Sequence, residues 1–168
     1  MVKIEPLTST NEVLRQASEL HKDVWNDEAI KERITNHRSY KGFTGMAMLS
    51  KEEQVIGFSY GYTSLPGQFY HELLAKEFHP EEYHYWFQDC FEVVELAVHA
   101  SYRKQGVGTT LMTKLLESVD HQTTILNTQS SNNTARALYT SLQWKVLKEP
   151  FYPDRLKQPY VIMGKELI

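Results

Sequence analysis

One stretch, VVELAVHASYRKQGVGTTLMTKLLESV at residues 93–119, constrains the fold more than any other part of the sequence. An apolar run ends at Val98, a basic turn containing Gly106 and Gly108 follows, and an apolar helical period begins at Val107. A strand, a glycine turn and a helix in this order direct backbone N–H groups and the positive end of the helix to one place. The turn is therefore either a plain connection or a seat for a phosphate group.

The pattern on either side of this stretch predicts an α/β chain. The sequence STNE at 9–12 is interpreted as a capping box, and a helix with one apolar face follows it. A second helix is predicted over 27–36. The apolar face of the first helix is formed by Val13, Ala17, Leu20 and Val24.

Six strands are predicted from period-2 alternation and from short apolar runs. In the second half of the chain, strands alternate with helices, which implies right-handed crossovers and parallel pairing. The expected fold is a single domain with a mixed central sheet of about six to seven strands flanked by helices. The predicted strands cover 45–50, 55–64, 91–98, 123–128, 144–149 and 159–165.

A segment at 65–90, LPGQFYHELLAKEFHPEEYHYWFQDC, interrupts this alternation. It begins at a Pro-Gly turn and is crowded with aromatic and acidic residues. Because so many aromatic side chains favour burial, we expect one or two short helices here rather than a disordered loop.

Length and charge limit the class of protein. A chain of 168 residues that is 41% hydrophobic can form one domain, over 1–168, with its own core. A net charge of −3 argues against a nucleic-acid partner held by a basic face. No apolar run reaches the roughly 18 residues of a transmembrane helix, and the N-terminus lacks the apolar centre of a signal peptide. We therefore expect a cytoplasmic protein without a nucleic-acid or membrane partner.

The single cysteine, Cys90, has no partner for an internal disulfide and fits a reducing compartment. It is interpreted as a packing residue. His71, His79 and His84 lie within 65–90 without zinc-ligand spacing to a cysteine, so no metal cofactor is expected.

Two well-known phosphate loops can be tested against the glycine turn. The P-loop string G-x-x-x-x-G-K-[ST] does not occur in the sequence. GVGTTL lacks the third glycine of the dinucleotide fingerprint, and the following strand ends near Asn127 rather than at an acidic residue. Both are rejected.

The turn and a second motif together resemble the GNAT superfamily of acetyl-CoA-dependent N-acetyltransferases. RKQGVG at 103–108 matches its signature [RQ]-x-x-G-x-[GA]. Asn132, Ala135, Tyr139 and Trp144 fall at the spacings of N-x-x-A-x-x-x-Y-x-x-x-G-[FW]. The resemblance covers about 90–149, and Gln143 departs from it because it stands where the family usually has glycine at a left-handed helix cap.

The resemblance implies a GNAT-like sheet splayed between the strands 93–98 and 123–128, with the pantetheine arm of acetyl-CoA in the gap and its pyrophosphate on the amides of Gln105 to Gly108. Two assignments keep alternatives: Asn132 could instead cap its helix, and Arg136 could lie on a solvated helix face. The residues assigned to the cofactor are Leu96, Ala97, Val98, Arg103, Lys104, Gln105, Gly106, Val107, Gly108, Asn132 and Arg136.

The resemblance also implies direct attack of an amine on the thioester, with an acid and a base. Tyr139 is placed as the acid, since a phenol is protonated at neutral pH. Glu92 and Glu95 are the candidates for the base, because burial raises a carboxyl pKa. Regular strand alternation puts them on opposite faces, a bulge would change this, and Glu92 is preferred.

The acceptor is expected to be a small cationic amine, because acids and aromatic faces crowd 65–90 next to the central strand. The alternative interpretation of these residues is an amphipathic helix with a solvated acidic face. The alternatives for function are a protein or peptide N-acetyltransferase and a CoA-binding domain without catalysis. A homodimer is compatible with either.

Overall fold

The computed structural model describes residues 2–25, 30–153 and 157–168, and over these ranges it contains seven strands and six α-helices. The strands are β1 (Lys3–Pro6), β2 (Thr44–Leu49), β3 (Val55–Thr63), β4 (Cys90–Val98), β5 (Thr123–Gln129), β6 (Lys145–Phe151) and β7 (Tyr160–Glu166). The helices are α1 (Asn11–Trp25), α2 (Ile30–His37), α3 (Phe69–Ala75), α4 (Pro80–Phe87), α5 (Val107–Glu117) and α6 (Asn133–Ser141). A single 3₁₀ turn, Ala100–Tyr102, precedes α5.

The strands form one mixed, open sheet in the order β1-β2-β3-β4-β5-β7-β6, as expected for a GNAT fold. The chain divides into two compact units. The first comprises Met1–Tyr62 and Val93–Asp120, and the second comprises Thr63–Glu92 and His121–Ile168. The strand β4 contributes residues to both.

In the first unit, β1, β2 and β3 pair antiparallel. The apolar residues of α1 and α2 form a core cluster with the buried side chains of β3, Phe58 and Tyr60, and with Ala97 of β4. Phe58 and Tyr60 follow the period-2 prediction for β3, in which large side chains alternate with small residues. Ile56 does not, because it packs with Val107 and Leu111 of α5, at the point where the register between β2 and β3 shifts. The strand β1 is absent from the predictions because it has four residues, and Ile4 is its only apolar side chain besides Pro6.

The start of α1 differs from the prediction. The helix is capped by Thr10, whose Oγ1 accepts a hydrogen bond of 3.1 Å from the N–H of Val13. The hydroxyl of Ser9 is directed instead to Glu5, and the carboxylate of Glu12 bonds Arg15 in the first helical turn. The predicted capping box at 9–12 is therefore wrong: the helix is capped one residue later. Of the predicted second helix, positions 27–29 lie outside the described residues.

In the second unit, the first three residues of β4 pair parallel with β5, from Cys90 opposite Thr123 to Glu92 opposite Ile125. This confirms the predicted parallel pairing. The strand β7 pairs antiparallel with β5 on one side and with β6 on the other. Residues of this sheet form a second core cluster with helices α3 and α4, and it includes Leu74, Trp86, Phe87, Cys90, Ile125, Phe151 and Ile162.

The segment 65–90 forms the two short helices α3 and α4, as predicted. Pro80 occupies the first turn of α4, and the side chains of His79 and Glu82 form a capping box there. Because Leu74, Trp86 and Phe87 are buried in the core of the second unit, both helices are integral to the fold of that unit.

Candidate active site

The glycine turn between β4 and α5 has a backbone geometry suited to binding an anion. Lys104 and Gly106 have φ values of 60° and 82°, so the backbone doubles back just before the helix. The backbone N–H groups of residues 105–108 have no hydrogen-bond acceptor among the residues that the structure describes; the first helical bond of the turn is donated by Thr110 to Gly106. An ideal Cβ on Gly106 would have no atom within 4 Å, so the space beside the turn is open.

The basic residues of the turn stay at the surface. Arg103 and Lys104 are exposed, and Nε of Arg103 donates to the carbonyl of Val98 at 3.3 Å. Gln105 closes the turn through a bond of 3.0 Å from Nε2 to the carbonyl of Ser101. The turn therefore combines unbonded N–H groups with positive charge, as a phosphate site requires.

The helix α5 is held against β3 by a close approach at Gly57. A Cβ built there would lie 2.9 Å from Leu111, 3.0 Å from Val107 and 3.1 Å from the carbonyl oxygen of Ala97. Val107 and Leu111 are buried, and Leu96 and Val98 of β4 pack partly buried against the same cluster. Gly57 thus lets the helix that follows the turn sit directly on the sheet.

The strand β4 contains a bulge. At one end the N–H of Ser64 bonds the carbonyl of Cys90, and at the other the N–H of His99 bonds the carbonyl of Ile56. The segment 90–99 is one residue longer than the segment 56–64 with which it pairs, so β4 holds one extra residue.

The contacts of neighbouring residues locate this bulge. Val94 packs on the core cluster of α1 and α2, and the next residue, Glu95, contacts side chains of the same two helices. Consecutive residues that face the same side mark the bulge at 94–95. Alternation along a regular strand therefore no longer assigns Glu92 and Glu95 to opposite faces.

Glu95 is an ion-paired carboxylate. Its Oε1 accepts a short hydrogen bond from Nη2 of Arg33 in α2, and its Oε2 lies 3.3 Å from Nε2 of His21 in α1. The Glu95 side chain is 13% exposed, and that of His21 is 3% exposed. Glu95 therefore already neutralises a cation and anchors two helices to β4.

Glu92 has the opposite environment. It is 2% exposed, and its Oε1 has no hydrogen-bond partner among the described residues. Burial raises the pKa of this carboxyl to about 8, because the charged form loses its hydration. Of the two predicted base candidates, Glu92 is the one without an ion-pair partner in the described chain.

Sequence reasoning did not identify His21 and Arg33. Both are polar residues on helices that otherwise bury apolar faces, and Arg33 lies 62 positions from Glu95 along the chain. The available signal was a histidine on the inner face of α1, four residues after Ala17 in the buried stripe.

Tyr139 lies in the last turn of α6 and is 7% exposed. The helix ends at Ser141 with Leu142 as its C-cap, and Gln143 adopts the left-handed conformation with φ 70°. The departure from glycine at Gln143 thus leaves the cap in place and imposes strain of about 1 kcal/mol on a non-glycine residue. Trp144 follows, and its ring centroid lies 5.9 Å from that of Tyr139.

Asn132 and Arg136 both make contacts within the second unit. Oδ1 of Asn132 accepts a bond of 3.2 Å from the N–H of Ala135 and caps α6. Arg136 binds both carboxylate oxygens of Glu149, at 2.6 and 3.1 Å. The helix-cap alternative for Asn132 is thus observed, and the charge of Arg136 is balanced by Glu149; a contact of either residue with the cofactor stays a prediction.

One acidic and two aromatic side chains of the segment 65–90 contact lysines of the same chain. Nζ of Lys148 lies 2.9 Å from Oε1 of Glu82 and 5.3 Å from the centroid of the Phe78 ring. Nζ of Lys145 lies 5.6 Å from the centroid of the Trp86 ring. Part of the charge and cation–π complementarity read from the sequence is therefore internal to the second unit.

The structure thus combines a mixed α/β sheet with a glycine turn whose backbone N–H groups at 105–108 have no acceptor among the described residues. The family model named acetyltransferase (GNAT) family matches residues 10–143. The chain belongs to this family. No curated protein matches the sequence.

Solved structures share the fold at low sequence identity. The ribosomal-protein-S18-alanine N-acetyltransferase from Escherichia coli is 17% identical, with a TM-score of 0.73 over 99% of this chain and 94% of that chain. Arabidopsis thaliana NAA60 in complex with acetyl-CoA is 16% identical, with a TM-score of 0.74 over 99% and 98%. Aminoglycoside 6'-acetyltransferase type Ii is 20% identical, with a TM-score of 0.72 over 99% and 97%.

Within the described ranges, no helix has the length and apolar character needed to cross a membrane. In the same part of the chain, no group of three or more His, Cys, Asp or Glu side chains is arranged to hold a metal ion.

Proposed function

We propose that this GNAT acetyltransferase seats the pyrophosphate of acetyl-CoA on the turn at 103–108 and transfers the acetyl group to a primary amine. The observation that carries the proposal is the row of backbone N–H groups at 105–108, which have no acceptor among the described residues and which start a helix. Arg103 and Lys104 add exposed positive charge, and Leu96, Ala97 and Val98 would line the pantetheine arm.

The chemistry requires one base and one acid. Glu92, buried and without an ion-pair partner in the described chain, takes a proton from the acceptor ammonium, and the amine nitrogen attacks the thioester carbonyl carbon. The C–N bond forms, the C–S bond breaks, and the phenol of Tyr139 protonates the departing thiolate. Of the two protons that the ammonium loses, one balances the proton given to the thiolate and the other is released to solvent.

Acetyl-CoA should raise the melting temperature of the protein. At 100 times Kd, a ligand contributes about 2.7 kcal/mol, which for a chain of this size corresponds to about 5–10 °C. Gly106→Trp should abolish this shift, because the indole would fill the open space beside the turn. Gly106→Ala is the matched control: it carries the same strain at φ 82° but little volume, and it should keep most of the shift.

A melting temperature that does not change with millimolar acetyl-CoA would reject the proposed binding site. Thiol release across a panel of amines then separates an enzyme from a binding domain: binding without turnover on any amine would favour the CoA-binding domain without catalysis.

We also propose a small cationic amine as the acceptor. Glu77 and Glu81 of the segment 65–90 are exposed and have no ion pair with any residue in the described ranges. Glu81→Gln should raise KM for a cationic acceptor and leave the KM for acetyl-CoA unchanged; an unchanged acceptor KM would reject the role of this acidic face. Glu82 is unsuitable for this test, since it caps α4 and pairs with Lys148.

Protein or peptide N-acetylation is the second candidate. The observation that favours it is the burial of α3 and α4 in a core cluster, because a segment that belongs to the core does not close over a small acceptor. The solved relatives include enzymes named for a ribosomal protein and for aminoglycosides, so peptides and small amines both belong in the panel.

Location and assembly belong to the same proposal. A cytoplasmic location is supported by the single buried thiol of Cys90, whose pKa is raised by burial. We propose that the whole chain, 1–168, acts as one catalytic domain, and a homodimer is the assembly that size-exclusion chromatography would test.

A further inference from the structure

The end of α6 fixes Tyr139 through two backbone hydrogen bonds. The N–H of Trp144 donates to the carbonyl of Tyr139 at 3.0 Å, and the N–H of Gln143 donates to the carbonyl of Thr140 at 3.0 Å. This pair of bonds, with Gln143 in the left-handed conformation, is a Schellman motif. The motif brings Trp144 back against the last turn of the helix that carries Tyr139.

The two side chains then pack on each other. Their ring centroids lie 5.9 Å apart at an interplanar angle of 50°, and the residues are 7% and 3% exposed. Aromatic pairs at this separation attract each other in addition to burying area. The indole therefore restricts the side-chain torsions of Tyr139 on one side of its ring.

The indole N–H of Trp144 makes no compensating hydrogen bond to the part of the chain that the structure describes. Nε1 is buried and has no hydrogen-bond acceptor among the described residues. A buried donor without an acceptor destabilises a fold, so an apolar side chain of similar shape would suit the position better on stability alone. Among the described residues, the observed contact of the Trp144 side chain with Tyr139 is therefore one of ring packing.

We infer that Trp144 is a positioning residue, which holds the phenol of Tyr139 in the orientation from which it protonates the thiolate. The inference rests on the proposed role of Tyr139 as the acid. Proton transfer requires the phenol oxygen within hydrogen-bond distance of the leaving sulfur. Rotation of the ring about the Cα–Cβ bond would carry that oxygen out of reach, and the indole blocks one direction of this rotation.

The test compares kcat and KM for acetyl-CoA in Trp144→Leu and Trp144→Phe. Trp144→Leu removes the aromatic contact and should lower kcat about tenfold through misplacement of the acid. KM for acetyl-CoA should stay within about a factor of two, since ground-state binding is not the property affected. Trp144→Phe keeps a ring against Tyr139 and should retain kcat within about threefold. Equal losses in the two variants would overturn the inference.

A double-mutant cycle separates positioning from a general loss of structure. In a Tyr139→Phe background there is no phenol to orient, so Trp144→Leu should change kcat by less than about twofold. A tenfold loss that persists in that background would overturn the inference. If Trp144→Leu does not fold at the assay temperature by circular dichroism, Trp144→Met, whose flexible side chain adapts better to the space left by the indole, replaces it in the same cycle.

Failure of the proposed function gives a different result. If Tyr139→Phe alone keeps the full kcat, the proposed role of Tyr139 as the acid is rejected, regardless of the result for Trp144. If Tyr139→Phe lowers kcat about a hundredfold, as loss of a general acid predicts, and Trp144→Leu has the rate of the wild type, only the positioning role is lost.

Discussion

Two glutamates three positions apart on β4 show how strongly the surroundings decide the chemistry of a carboxyl group. Glu95 lies between Arg33 and His21, and its charge is compensated. Glu92 is buried with Oε1 unpaired among the described residues, and its pKa is raised to about 8. A base needs a pKa near the operating pH, and the burial of Glu92 meets this requirement.

Glu92→Gln should therefore stabilise the protein while it removes the base. The folded pKa of Glu92 is above its unfolded value of 4.5, so its contribution to stability is present below pH 4.5 and is lost as the pH rises toward 8. At pH 8 the variant should have a higher free energy of unfolding than the wild type, and the two should converge near pH 4.5. Denaturant unfolding at both pH values measures this difference.

Glu95→Gln is the matched control on the same strand. It removes the carboxylate that pairs with Arg33 and His21, so it should lower the free energy of unfolding at pH 8. Stabilisation by both substitutions, or by neither, would contradict the difference in environment. For activity, Glu92→Gln should lower kcat by about 10² or more.

At the scale of elements, the sequence predicts those helices and strands whose pattern lies within their own residues. The strands β3 and β4, the helix α5 and the two short helices of 65–90 follow from alternation, helical period and aromatic content. The turn at 103–108 is predicted by spacing, whereas the left-handed conformation of Lys104 has no signal in the sequence. The short strand β1 has too few apolar residues to give such a signal. It is stabilised by its backbone pairing with β2.

Contacts between elements far apart in the chain could not be predicted. The pairing of Glu95 with α1 and α2, and the bulge at 94–95, depend on which helices pack over β4. The acids of α4 illustrate the same limit: their pattern suits a cationic ligand, and the partner that Glu82 binds is Lys148 of β6, 66 positions away. A charge pattern gives the sign of a partner and leaves open whether the partner belongs to the same chain.

For the whole molecule, the sheet order shows which part of the topology is encoded locally. The crossover through α5 predicts the parallel pairing of β4 and β5, because a right-handed crossover returns the chain beside its starting strand. The insertion of β7 between β5 and β6 has no such local signal. It requires the last strand to pass β6 and pair with β5 along seven residues.

The free energy of unfolding should depend on pH, and it should decline as the pH rises from 6.5 toward 8. His37 is buried, near Arg33, and its pKa is lowered to about 4; burial also lowers the pKa of His71. A lowered histidine pKa contributes stability that is present above the unfolded value of 6.5 and is lost as the pH falls. Glu92 has the opposite effect. Because its pKa is raised, the stability that it contributes is lost as the pH rises from 4.5 to 8.

Each of these groups contributes at most about 1.4 kcal/mol per pH unit within its window. Between pH 4.5 and 6.5 the two histidines act against Glu92, and above pH 6.5 Glu92 acts alone among the three. Equilibrium unfolding in urea from pH 4.5 to 9 measures the curve. Glu92→Gln should remove the decline above pH 6.5, and His37→Gln, which can still bond the hydroxyl of Tyr60, should flatten the acid side. A stability that rises steadily to pH 8 in the wild type would mean that Glu92 ionises in the folded protein at its ordinary pKa.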